Sequence, residues 1–188
     1  YPYRFAFRIR YALEGPVLQV AFQVENRSEE PLYCGMGGHP GFNVPLEEGL
    51  TFEDYELTFP EACTPRQVVF SPALQVAPER PAYPLEEGRK LPLRHELFDL
   101  DAVVLAGAPR QVTLSSPKGS HGVTVAYPQM PYVGFWHKPQ TDAPYVCIEP
   151  WSILPGRDNL VEELSQMPDM TTVAPGQTFE NRWSITIW

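Results

Sequence analysis

The segment Gly35-Met36-Gly37-Gly38-His39-Pro40-Gly41-Phe42-Asn43 sets one histidine among four glycines and a proline. Glycine belongs where the backbone takes a positive φ or where something must approach closely. An imidazole held on such a bend can give or take a proton near neutral pH. A turn whose histidine only bonds a carbonyl is the competing reading. The second place is Tyr145-Val146-Cys147-Ile148-Glu149-Pro150-Trp151, where a carboxylate ends an apolar run and is followed at once by proline and tryptophan. Apolar, aromatic surroundings disfavour the charged form and lift a carboxyl toward the range of a useful base. An exposed glutamate at a strand end is the alternative there. The third place is Leu97-Phe98-Asp99-Leu100-Asp101-Ala102-Val103-Val104, acids leading into a strand, with Asp99 read as solvated loop charge.

The remaining histidines carry less. His121 falls in a hairpin loop, His95 in a polar approach to Leu97, and His137 between Trp136 and Lys138-Pro139, where it borders a site or caps a strand. A zinc centre needs several His or Cys ligands at compact spacing, and the sequence has none, so no metal is expected. Nucleophile-elbow, Walker and dinucleotide-glycine motifs are missing too, and no cofactor is expected. The formal charge is −9 and the pI about 4.9. Such a chain gains nothing from counterion release on a polyanion, which argues against nucleic acid or an anionic membrane surface as partner. No apolar run reaches the ~18 residues of a membrane span. Cys34, Cys63 and Cys147 are odd in number and widely spaced, so they read as reduced thiols of a cytoplasmic protein.

The elements that must position these residues are strands. Phe5-Ala6-Phe7-Arg8-Ile9-Arg10-Tyr11 and Val17-Leu18-Gln19-Val20-Ala21-Phe22-Gln23-Val24 alternate around a Glu14-Gly15-Pro16 turn, the pattern of an antiparallel hairpin. Short runs of the same kind recur at 55–59, 67–70, 102–105, 111–115, 123–127, 132–136, 145–149 and 179–188. Twenty-two prolines, about twice average usage, lie scattered between these runs at strand ends and loops. This density of strands predicts an all-β antiparallel sandwich or barrel in one domain spanning 1–188. Only 158–167 has helical spacing, with Leu160, Val161 and Leu164 on one face and Pro168 as its stop. The chain starts almost inside a strand pattern, without an initiator methionine. The expectation is that the natural protein continues upstream of Tyr1.

Taken together, Gly37-Gly38-His39-Pro40-Gly41-Phe42-Asn43, Leu97-Phe98-Asp99-Leu100-Asp101-Ala102, Val146-Cys147-Ile148-Glu149-Pro150-Trp151 and Val173-Ala174-Pro175-Gly176-Gln177-Thr178-Phe179 resemble the aldose 1-epimerase (galactose mutarotase) superfamily. The likeness is nearest to its LacX-like branch and extends over nearly the whole chain. It implies a β-sandwich of the supersandwich type, of which 1–188 is the C-terminal portion, and an isomerase that interconverts the α and β anomers of a hexose. It maps a general acid onto His39, a general base onto Glu149 and a sugar-hydroxyl ligand onto Asp101, preferred to Asp99 because it directly precedes the strand. Phe42, Asn43, Trp136 and Trp151 are the further candidates for contact with the sugar; for the aromatic ones, packing is the rival role. The expected geometry sets acid and base on opposite sides of the ring. The family's N-terminal part ordinarily supplies an arginine and another histidine that touch the sugar, and nothing here matches them. The resemblance therefore implies a site completed by a segment outside these residues, the one macromolecular partner expected. A non-catalytic carbohydrate-binding sandwich is the alternative. A glycoside hydrolase or lyase would need Asp101 as its second carboxylate. A phosphorylated hexose would need cations, for which Arg66, Arg89, Lys90 and Arg94 are scattered candidates.

Overall fold

A computed structural model describes residues 1–188 and shows a protein made of antiparallel strands. They are β1 (Phe5–Glu14), β2 (Val17–Asn26), β3 (Leu32–Cys34), β4 (Gly41–Asn43), β5 (Glu56–Thr58), β6 (Arg66–Val68), β7 (Lys90–Pro92), β8 (Val103–Ala106), β9 (Gln111–Ser115), β10 (Gly122–Ala126), β11 (Tyr132–Trp136), β12 (Tyr145–Trp151), β13 (Thr171–Val173) and β14 (Thr178–Ile187). A seven-stranded sheet runs β1-β2-β14-β10-β9-β5-β7, a five-stranded sheet β4-β12-β11-β8-β6, and β13 pairs with β3 apart from both. The expected β-sandwich is therefore present, and so is the first hairpin, whose turn places Gly15 at φ 59°.

Alternation decides which face of each strand is inside. Val20 and Phe22 of β2, Val112 and Leu114 of β9, Val123 and Val125 of β10 and Trp183 of β14 meet Val103 and Leu105 of β8, Val133 and Phe135 of β11, and Val146 and Ile148 of β12. These residues form one continuous apolar core between the two large sheets. The intervening residues of the five-stranded sheet, Val104, Gly134, Cys147, Glu149 and Trp151 among them, point the other way. That outer face is partly roofed by 68–77 and 151–157, which pack Val68, Val76 and Leu154 against Val104 and Trp151.

One expectation fails. The segment 158–167 is not a helix: only Leu164–Gln166 makes one 3-10 turn. Leu160 is half exposed and Val161 fully so, so the apolar stripe finds nothing to pack against, and a ten-residue helix without tertiary cover is marginal in water. Asn159 instead takes φ 56°, and Arg157 and Glu162 close the loop through two guanidinium–carboxylate hydrogen bonds of 3.0 and 2.6 Å. The glycine-rich bend ends in a short strand: Gly41–Asn43 pairs with Tyr145–Cys147. The three-residue strands β3, β7 and β13 are too short to show a period and were not foreseen.

Candidate functional site

Strand β12 organises the site. The register with β11 puts Glu149 opposite Gly134 and Trp151 opposite Tyr132, on the face turned away from the core. A glycine at 134 leaves room for the Trp151 indole, which would lie 3.4 Å from a Cβ built there. Trp151 Nε1–H donates to Glu149 Oε2 at 3.3 Å. On the other flank of β12 the glycine-rich bend continues antiparallel beyond β4. Ile148 N–H donates to Pro40 O (3.2 Å), Gly38 N–H to Pro150 O (2.9 Å) and Ser152 N–H to Met36 O (2.8 Å). Pro150, inside the strand, turns its donorless nitrogen toward this bend, where ladder hydrogen bonding is already irregular.

The glycines serve close approach and not positive φ. A Cβ on Gly37 would come within 2.9 Å of the Pro150 carbonyl oxygen, and one on Gly38 within 2.7 Å of the Trp183 ring. Drawn in this tightly, the bend sets His39 beside Glu149, with Nε2 3.3 Å from Oε1. The carboxylate thus has an imidazole on one oxygen and an indole N–H on the other.

The two partners differ in exposure. The Glu149 side chain is 6% exposed and that of His39 61%. Burial raises the Glu149 pKa; the His39 and Trp151 contacts pull against it, and the charge of Asp101 adds to the rise. Asp101 stands on the same cleft, at the turn into β8, with φ 97°, and its Oδ1 accepts from Ala102 N–H at 2.9 Å. A non-glycine residue so far into positive φ is a backbone outlier of the kind that clusters at functional sites.

The cleft has a volume of about 340 Å³ and brings together His39, Asp101 and Glu149 with Trp136 and Trp151, within the ~300–1,000 Å³ typical of small-molecule sites. The His39 and Trp136 rings meet edge to face at a centroid separation of 5.8 Å. Its remaining wall, Phe70, Leu74, Ala102 and Pro155, was not anticipated. Phe70, Leu74 and Pro155 lie on segments joined by isolated bridges, Phe70 to Val76 and Val76 to Arg157, that leave no local pattern in the chain.

Two sequence candidates lie elsewhere. Phe42 stands opposite Val146 and packs on the core side of the sheet. Asn43 shares the face of Glu149 but stands opposite Tyr145, four positions along β12, or roughly 13 Å away at strand rise. Neither lines the cleft, because alternation turns one inward and strand length carries the other off. Asp99, as expected, is exposed past the short His95–Phe98 turn. His137 borders no site: it is fully buried among Phe52, Phe98 and Tyr145, with Nε2 3.1 Å from His95 Nδ1. Arg66, Arg89, Lys90 and Arg94 do not reach the cleft lining either.

His39, Cys147 and Glu149 each bring one potential ligand atom within 4.8 Å of the others. Burial and the neighbouring Glu149 push the Cys147 thiol up to about 11, so near neutrality it carries its proton and is no ready nucleophile. Cys34, Cys63 and Cys147 are all free thiols. No helix is long and apolar enough to cross a membrane.

Comparison with known proteins points the same way. The family model for aldose 1-epimerase matches residues 1–186. The chromosomal LacX protein of Lactococcus lactis is 34% identical over 100% of this chain and 63% of its own length. A galactose mutarotase related enzyme from Lactobacillus acidophilus superposes with a TM-score of 0.92 at 30% identity, covering 100% of this chain and 63% of that one. A galactose mutarotase-like protein from Lactobacillus casei gives 0.89 at 26% identity, covering 100% and 64%. The chain thus spans less than two thirds of the length of these relatives. With nearly every residue inside the family match and the sandwich superposing closely on two such structures, the chain belongs to the aldose 1-epimerase family.

Proposed function

We propose that this chain carries the acid–base centre of an aldose 1-epimerase acting on a hexose. The observation that supports this is the contact between His39 Nε2 and Glu149 Oε1, a donor-bearing ring and a buried carboxylate side by side at the rim of a sugar-sized cleft. Opening a pyranose requires a proton to leave the anomeric hydroxyl and another to reach the ring oxygen. Both oxygens are bonded to the same carbon, so an acid and a base in contact with each other can address them together. The expected arrangement, with the two groups on opposite sides of the ring, is not what the geometry provides: nothing the size of a hexose fits between atoms 3.3 Å apart.

In this mechanism the Glu149 carboxylate takes the anomeric proton while the His39 imidazolium protonates the ring oxygen. The bond from C1 to the ring oxygen breaks and an aldehyde forms. Rotation about C1–C2 turns the other carbonyl face to the hydroxyl. Closure then reverses both transfers: His39 recovers its proton from the attacking hydroxyl, and Glu149 returns its own to the new anomeric oxygen. Trp136 and Trp151 offer flat apolar surface to the ring, and Asp101 accepts from a sugar hydroxyl.

Polarimetry on freshly dissolved α-galactose or α-glucose tests the reading. Glu149→Gln is expected to lower the acceleration of mutarotation by about 10²–10⁴-fold, the usual worth of a positioned proton transfer, with the far-ultraviolet circular dichroism unchanged. Full activity in that variant would refute the assignment.

A further inference from the structure

On the outer face of the five-stranded sheet the donor atoms of three different side chains converge. Cys147 and Glu149 stand two residues apart on β12 and so share that face. The glycine-rich bend brings His39 to them from a distant part of the chain, which is why no ligand spacing shows in the sequence. His39 Nε2, Cys147 Sγ and one Glu149 carboxylate oxygen all lie within 4.8 Å of one another. Nε2 and Oε1 are 3.3 Å apart. Bonds of about 2.0–2.1 Å from nitrogen and oxygen to a tetrahedral zinc ion set those two atoms roughly 3.3 Å apart, so one edge of such a coordination shell is already in place. Trp151 Nε1–H holds Oε2 and leaves Oε1 turned to the imidazole, the kind of outer partner that aims a ligating carboxylate. Gly41 and Trp136 flank Cys147 in the ladder. A Cβ on Gly41 would stand 3.5 Å from Sγ, so glycine keeps that flank of the sulfur free of a side chain. Neither Cys34 nor Cys63 belongs to a cluster of this kind.

We propose that His39, Cys147 and Glu149 form a binding site for a divalent cation of the zinc type. An imidazole, a thiolate and a carboxylate oxygen are three protein ligands, the number at which zinc keeps a fourth position for water. The His39 side chain is mostly exposed and stands on the cleft, so that position opens there. As the ion binds, the thiol gives its proton to solvent and the imidazole coordinates in its neutral form through Nε2. Thiolate and imidazole favour zinc or cobalt over magnesium and calcium, which take oxygen ligands. The hydrogen bonds from Ile148 N–H to Pro40 O and from Gly38 N–H to Pro150 O fasten the bend to β12, so the ligands are brought together before any ion arrives. The consequence for activity rests on the epimerase reading. A bound ion takes the lone pairs on Nε2 and Oε1 through which the protons would move, so metal occupancy and sugar turnover exclude one another.

The test titrates the purified chain with Co²⁺, a spectroscopic probe for zinc sites. The expected result is one ion per chain, with a thiolate-to-cobalt charge-transfer band in the near ultraviolet and the visible bands of a four-coordinate ion. Zn²⁺ should erase these bands and excess Mg²⁺ should leave them unchanged. Cys147→Ser should remove the charge-transfer band, whereas Cys34→Ser and Cys63→Ser keep it. His39→Gln, at an exposed position that leaves folding intact by circular dichroism, should weaken cobalt binding at least about tenfold, since loss of a mere outer partner already costs about 10–100-fold. The inference is overturned by absence of the band, by its persistence in Cys147→Ser, or by His39→Gln binding as tightly as the unaltered chain. In polarimetry, Zn²⁺ at a concentration that saturates the unaltered chain should stop its mutarotation and spare Cys147→Ser, whose thiol the reaction does not use; equal inhibition of both also overturns it. The cobalt spectra involve no sugar, so a chain that binds cobalt without accelerating mutarotation counts against the epimerase reading and leaves the metal site standing.

Discussion

Glu149 is a carboxylate held in a place that suits its acid form. Burial is the largest influence on it and raises its pKa above the ordinary 4.5. A carboxyl with a raised pKa in the fold favours the protonated folded state. Its contribution to stability is full below the unfolded-state value and is lost as pH climbs through the folded-state one. Glu149→Gln, neutral at every pH, should therefore melt at a higher temperature than the unaltered chain at pH 7, with the gap shrinking toward pH 4. Calorimetry at the two pH values checks this, and a lower melting point for the variant at pH 7 would contradict it. The acid limb of activity should likewise sit above the usual glutamate range, because the base must be ionised. Asp101 poses a separate trade. Its φ of 97° carries a cost of about 1–3 kcal/mol that glycine would not bear. Asp101→Gly is expected to leave the melting temperature unchanged or raised and to increase KM for the sugar about tenfold or more, by loss of a charged hydrogen-bond acceptor. Thermal melts and initial-rate kinetics on the same preparation separate the two effects.

At the scale of elements, the bend and β12 act as one unit. Gly38 touches the buried ring of Trp183, which belongs to β14 of the opposite sheet. In Gly38→Ala the new methyl group would meet an aromatic ring that has little room to retreat. The expected cost is about 1–3 kcal/mol of overpacking, read as a melting temperature lower by roughly 2–4 °C for each kcal/mol in a chain of this size. Activity should fall as well, because His39 is the next residue. Gly15→Ala, in the first hairpin turn, would strain only its own φ and leave the site untouched, which makes it the control for the thermal melt. The close approach explains why a glycine cluster could be recognised as special from sequence while its purpose could not. Positive φ and tight packing leave the same trace in a chain, and only the position of Trp183, far along the sequence, distinguishes them.

For the molecule as a whole, what could be foreseen followed locality. The strands from β9 through β12, and the β1–β2 hairpin, each carry their own alternation and turn residues, and they lie where the pattern places them. His39 and Glu149 were visible because each sits in an unusual local setting. Asp101 stood out by its place before β8. Phe42 and Asn43 were misjudged because nearness to His39 in the chain is not nearness in a sheet, where one residue inverts the face and four displace a side chain by more than a sugar's width. The apolar wall from Phe70, Leu74 and Pro155 and the failed helix at 158–167 share one cause: both depend on what distant segments do or do not cover. The three main-chain hydrogen bonds that fasten residues 36–40 to residues 148–152 have a kinetic implication. Donor and acceptor of protons are mounted on neighbouring rungs, so thermal motion of one is shared by the other and their spacing persists whether or not a sugar is present. On the epimerase reading, an arriving hexose meets its two proton carriers already assembled.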